Sequence, residues 1–175
     1  MKPLDPTGLK RLHREWRHRT EGRLALILDS VQSPYNVGAI LRTAAAYRVE
    51  QVWVAGATAS PSSSGVRKTA LGTDRFLTIT DVGAAVDAVD AARAAGFRVI
   101  AVELAEGAHP LHDVKLGDAV CLVVGNEDHG IGAAVLRACD DIGFLPQLGK
   151  VGSLNVATAA SIALYEARRQ EWESS

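Results

Sequence analysis

Three short stretches of this chain gather the side chains that could do chemistry. The first, SPYNVGAILRTAAA, carries Asn36 just before a helix and Arg42 about one and a half turns into it. The second, GNEDHGIG, sets Glu127 and Asp128 between glycines. The third, FLPQLGKVGSLNVATAASIALYEARR, leaves an apolar strand end at Pro146, which cannot donate to a sheet ladder. It then passes Gly149 and Gly152 to reach Ser153 and Asn155, both able to cap a helix start. A guanidinium, carboxamides and carboxylates beside flexible backbone can orient a polar substrate, and the carboxylates tolerate a cationic ligand.

Several common chemistries are excluded. There is no GxxxxGK[ST], and GNEDHGIG has its glycines in the wrong order for a dinucleotide fingerprint, with two carboxylates where a pyrophosphate would sit. A ligand gripped there through phosphates is not expected. Ser153 is not in a GxSxG elbow and no histidine is obviously paired with it. His109, His112 and Asp113 are metal ligands by type, but beside Pro110 they read as a turn, and no metal is expected.

The elements that must position these loops follow from the apolar pattern. Unbroken apolar runs at 24–28 and 119–124 mark strands buried on both faces of a parallel sheet. Further strands are expected at 51–55, 76–80, 98–102 and around Ile142, alternating with helices at 37–47, 66–71, 83–95, 131–139 and after Asn155. Gly96 serves as a helix stop. Alternating strands and helices give an α/β fold: a mostly parallel, six-stranded sheet with helices on both faces. Residues 7–21 fit an amphipathic helix, Leu9, Leu12 and Trp16 on one face and Lys10, Arg14 and Arg17 on another. The expected division is a basic helical extension over residues 1–23 and one domain over residues 24–175.

At 175 residues and 47% apolar, the chain suits a single full-sized core. The net charge of −1 gives no hint of nucleic acid, but residues 2–23 hold seven Lys or Arg against three acids. Cys121 and Cys139 lack a CxxC spacing and read as reduced thiols. With neither a membrane-length apolar run nor a signal-peptide h-region, a cytoplasmic protein is expected.

Taken together, NVGAILRTAAAYRVEQVWV, LVVGNEDHGI and LPQLGKVGSLNVATAASIALYEARRQ resemble, in order and spacing, the three motifs of the SpoU, or TrmH-like, RNA 2′-O-ribose methyltransferases of the SPOUT superfamily. The resemblance runs over residues 24–170. It implies a C-terminal segment threaded into a deep trefoil knot, a rare exception to the rule against threading. It also implies S-adenosyl-L-methionine bound in the knot, a homodimer with the substrate site across the subunit interface, and RNA as partner.

Carried over by motif position, Asn36, Arg42, Glu127, Ser153 and Asn155 are the expected catalytic set, with Arg42 the central member. A guanidinium holds its proton at any ordinary pH. The expected role of Arg42 is therefore to hold an RNA phosphate, which can itself take the ribose proton, and to orient the 2′-hydroxyl. Val102, Gly125, Leu145 and Leu154 are the expected cofactor wall, and Arg14, Arg17, Arg67 and Lys68 the expected RNA phosphate contacts. Each residue taken singly has a plainer reading: Asn36, Ser153 and Asn155 as helix caps, Glu127 as a solvated acid, Arg42 as a surface ion-pair partner. The short basic helix resembles the tRNA-modifying branch, which methylates a guanosine in the D-loop, so tRNA is favoured over ribosomal RNA. An rRNA substrate and an inactive RNA-binding member of the fold are the alternatives, and the sequence leaves open which nucleotide is modified.

Overall fold

The computed structural model describes residues 2–174; Met1 and Ser175, the outer ends of the two segments expected above, lie outside them. β1 (Arg23–Asp29) shows why its sequence is apolar throughout. Leu24, Leu26 and Leu28 enter one core, Ala25 and Ile27 the other, as the two-residue period of a strand requires. β6 (Ala119–Val124) does the same, with Val120, Leu122 and Val124 on one face and Cys121 and Val123 on the other.

Between them in sequence come α2 (Pro34–Ala46), β2 (Gln51–Ala55), α3 (Ser64–Ala70), β3 (Thr78–Val82), α4 (Ala85–Ala94), β4 (Arg98–Val102) and β5 (His109–Pro110). After β6 follow α5 (Ala133–Ala138), β7 (Asp141–Phe144) and α6 (Val156–Ser174). The strand order is β3-β2-β1-β6-β4-β7-β5, and every pairing is parallel. α2, α3 and α6 cover one face of the sheet, α4 and α5 the other.

The sheet has seven strands, not six. The additional one, β5, is two residues long and contains Pro110, so no sequence period marks it; it exists because the edge of β7 has backbone groups to pair. His109 lies in that strand, and His112 and Asp113 in the 3-10 turn Leu111–Asp113 behind it. Strand β3 starts two residues later than expected. Phe76 belongs instead to the 3-10 turn Thr73–Phe76, where the chain needs a corner before it enters the sheet edge.

α1 (Pro6–His18) is capped by Asp5, whose carboxylate accepts from the Gly8 N–H at 2.7 Å. It ends three residues before the expected boundary and buries none of its residues. Leu9, Leu12 and Trp16 remain 38–44% exposed. Trp16 does find a neighbour in Trp172 of α6, ring centroids 4.8 Å apart.

α2 and α3 pack unusually closely. A Cβ at Gly38 would lie 2.6 Å from the Thr69 Cβ and 2.7 Å from the Val66 carbonyl, so only glycine permits the contact. That approach fixes the helix carrying Asn36 and Arg42. Both cysteines are free; burial pushes the Cys139 thiol up to about 12 and Cys121 well above its ordinary value, so neither is a reactive thiolate.

Candidate active site

β4, β6 and β7 are neighbours in the sheet, and the chain leaving their carboxyl ends lines one cavity of about 580 Å³. That is the usual position and size for a small-molecule site in a parallel sheet, roughly 300–1,000 Å³. Val102 and Glu103 come from the β4 exit, Gly125 to Gly130 from the β6 exit, and Leu145, Gln147 and Leu154 from the segment between β7 and α6. All four residues expected to form the cofactor wall, Val102, Gly125, Leu145 and Leu154, are present, with Glu127, Ser153 and Asn155 beside them.

The β6 exit is a tight reversal. Asn126 and Gly130 exchange backbone hydrogen bonds of 3.1 and 3.0 Å, and a Cβ at Gly125 would lie 2.5 Å from the Gly130 carbonyl carbon. The Asn126 side chain accepts from the N–H groups of Asp128 and His129 and donates to the Ser30 carbonyl at 2.8 Å, tying the turn to the β1 exit. Glu103 accepts from the Ile131 N–H at 2.9 Å and so fixes the far side of the same turn.

Glu127 joins the three expected motifs. Its Oε1 accepts from Asn36 Nδ2 at 2.9 Å and from the Ser33 N–H at 3.0 Å; its Oε2 accepts from the Gln32 N–H at 3.1 Å. Asn36 Oδ1 in turn accepts from Asn155 Nδ2 at 3.1 Å. Asn155 Oδ1 accepts from the N–H groups of Ala157 and Thr158, holding the first turn of α6. Partial burial alone would raise the Glu127 pKa; the hydrogen bonds from Asn36, Ser33 and Gln32 outweigh it and hold the carboxyl below its ordinary value. Glu127 is thus an ionised, fully engaged brace and a poor general base.

The plainer readings divide. Ser33, not Asn36, caps α2, accepting from the Asn36 N–H at 3.4 Å. Asn155 is both a cap and a link to Asn36. Ser153 is an exposed lining residue. Arg42 is exposed on α2, does not line the cavity, and its side chain makes no hydrogen bond or ion pair among the described residues. Arg67 and Lys68 are exposed on α3.

Arg14 and Arg17 are not brought to this end of the molecule. They lie on α1, next to the amino ends of β1 and β2, where Arg17 helps line a second groove of about 830 Å³ with Trp16, Tyr47, Arg48 and Trp172. Glu103, Asn126 and Gln147 escaped the sequence reading. The signal for the first was its place immediately after a buried strand, where ligands gather.

A sequence model described as the SpoU rRNA Methylase family matches residues 23–165. The chain belongs to this family. It is 33% identical over 153 residues to an uncharacterized tRNA/rRNA methyltransferase of Synechocystis, covering 87% of this chain and 56% of that one. Against the tRNA (guanosine(18)-2′-O)-methyltransferase of Escherichia coli, identity is 29% over 170 residues, 95% of this chain and 72% of that one. Among solved structures, the AdoMet-bound rRNA methyltransferase of Sinorhizobium meliloti superposes with a TM-score of 0.80 at 32% identity, covering 87% of this chain and 58% of that one. The chain thus spans somewhat over half the length of several SpoU relatives. Among the described residues no helix is long and apolar enough to cross a membrane, and no group of three His, Cys, Asp or Glu is placed to hold a metal ion.

Proposed function

We propose that this chain transfers a methyl group from S-adenosyl-L-methionine to a ribose 2′-hydroxyl of RNA. The observation that carries the reading is the hydrogen-bonded line Glu127–Asn36–Asn155, which locks three separate motifs around one cavity at the strand ends. The residues present fit the cofactor. Val102, Leu104, Leu145 and Leu154 offer apolar surface, Glu127 and Asp128 supply negative charge toward a cation, and Gly152 has open space where a Cβ would stand. When bound, the cofactor supplies an electrophilic methyl group on a sulfonium.

Arg42, exposed and unpaired, holds a phosphate of the RNA through paired guanidinium hydrogen bonds and sets the 2′-hydroxyl in line for attack. The hydroxyl proton passes to that phosphate or to water, since Arg42 cannot accept it. Asn36 uses both ends of its amide on Glu127 and Asn155. It therefore positions α2, and with it Arg42, rather than touching the ribose. Ser153, exposed at the rim, is a substrate contact. Arg67 and Lys68, on the helix packed against α2, contact flanking phosphates, and Arg14 and Arg17 contact a more distant part of the RNA.

Transfer RNA is the favoured substrate. In support, the likeness to the Escherichia coli tRNA enzyme covers 95% of the chain and so extends into the basic helix. Residues 1–23 are then an RNA-contacting extension and residues 24–175 the catalytic domain of a cytoplasmic protein. A trefoil knot accounts for the β6 exit and the segment before α6 lining one cavity together. A homodimer accounts for Ile162 and Tyr165, 43% and 49% exposed on α6.

Nucleoside mass spectrometry tests the proposal. Unmodified tRNA and rRNA are incubated separately with the protein and S-adenosylmethionine, alongside Arg42→Ala. A 2′-O-methyl nucleoside formed only by the wild type, and on tRNA, is expected. Its absence from both RNAs while the cofactor binds would overturn the catalytic reading.

A further inference from the structure

Gln147 has no assigned part in this site. It lies in the segment between β7 and α6, where Leu145 and Gln147 line the cavity while Pro146 between them is exposed, the alternation of an extended chain. Its Oε1 is the one buried side-chain polar atom, among the described residues that are not exposed, that has no hydrogen-bond partner. A buried carbonyl oxygen left unsatisfied is costly, and native structures give such atoms a partner. Glu103 and Glu127, which line the same cavity, already accept from backbone or amide N–H groups. Asp128 and Ser153, also in the lining, are exposed to water, so the buried unused side-chain acceptor is that of Gln147, on an apolar stretch of wall beside Leu145.

We propose that Gln147 is a specificity-determining residue that reads the adenine of the cofactor, its Oε1 accepting from the exocyclic 6-amino group. The proposal rests on the methyltransferase reading above. A carboxamide presents an acceptor and a donor side by side, which complements the amino group and adjacent ring nitrogen on either edge of adenine. The cofactor's other donors suit this position less well. Its ammonium is charged and favours the carboxylate side of the cavity, while a planar, neutral base matches an apolar wall with one acceptor.

The test is titration calorimetry with two ligands, S-adenosylhomocysteine and its analogue with unsubstituted purine in place of adenine. Wild-type protein should prefer the adenine ligand by about tenfold or more, the worth of one buried hydrogen bond. Gln147→Met, similar in size but with no carbonyl, should lose most of that preference by weakening adenine binding and should bind the purine ligand about as wild type does. Gln147→Glu, which keeps an acceptor, should retain the preference. An unchanged preference in Gln147→Met overturns this inference alone. Absence of any binding to wild type overturns the methyltransferase reading and this inference with it.

Discussion

Arg42 and Arg168 stand on two helices that pack against each other, α2 and α6, and the fold uses them in opposite ways. Arg168 is 3% exposed and spends its whole guanidinium internally: on the Tyr47 carbonyl at 3.0 and 2.9 Å, the Gly22 carbonyl at 2.7 Å, the Arg48 carbonyl at 3.2 Å, and Glu171 at 2.7 Å. Glu171 also accepts from the Glu21 and Gly22 N–H groups. Arg42 is exposed and has none of this. The difference teaches that an arginine's place in a basic or apolar stretch says little about its task. What decides is whether the fold brings acceptors to it. At the amino ends of β1 and β2 the chain supplies carbonyls in need of donors, and the guanidinium becomes a structural tie. On the outward face of α2 it supplies none among the described residues, and the charge of Arg42 is left exposed.

The comparison breaks most sharply if Arg42→Ala is harmless. Its expected effect is a loss of methyl transfer of roughly 10²–10³-fold or more, with stability within about 0.5 kcal/mol of wild type and cofactor affinity within a few-fold. Activity close to wild type in single-turnover assays would remove Arg42 from the site. Arg168→Ala should do the reverse, costing about 3–5 kcal/mol in urea unfolding because it removes the cation paired with the largely buried Glu171 carboxylate and leaves the Tyr47, Arg48 and Gly22 carbonyls without that donor. A loss under about 1 kcal/mol would show that water reaches these groups.

Leu154→Arg should abolish calorimetrically detectable S-adenosylmethionine binding by placing a charge in the apolar wall, while the melting temperature changes little, since Leu154 is only partly buried. Undiminished binding would move the cofactor elsewhere. The smallest effect is expected at Glu127→Gln, about 1–2 kcal/mol of stability, because the new amide nitrogen cannot accept from the N–H that one carboxylate oxygen serves and the remaining hydrogen bonds lose their charge assistance.

Because the folded-state pKa of Glu127 lies below the ordinary 4.5, its contribution is complete above about that pH and is lost as the pH falls through the lowered folded value. Thermal unfolding from about pH 6 to about pH 3 should therefore bring wild type and Glu127→Gln together at the acid end. A constant gap would assign the difference to packing.

The strands that carry the site were legible because burial on both faces demands unbroken apolar residues, and 24–28 and 119–124 have them. Gly125, Leu145 and Leu154 reach the cavity from the second and third motifs, while Val102, outside the motifs, reaches it from the end of β4. Asn36 was placed just before its helix, whereas Ser33 caps that helix and Asn36 faces Glu127 in its first turn. The two side chains have similar capping propensity, and only the position of Glu127 distinguishes them. β5 was invisible, since two residues including a proline carry no period and owe their pairing to a neighbour distant in sequence.

By itself the sequence determined the α/β class, the family and the identity of the chemistry-bearing loops, because strand burial, turn residues and motif spacing are local properties of the chain. Tertiary structure alone decided that Glu127, Asn36 and Asn155 form one line, that Arg42 is left unpaired while Arg168 is consumed, and that Arg14 and Arg17 lie next to the amino ends of the strands rather than at the cavity. Those are contacts between residues from 91 to 146 positions apart, and no local pattern records them.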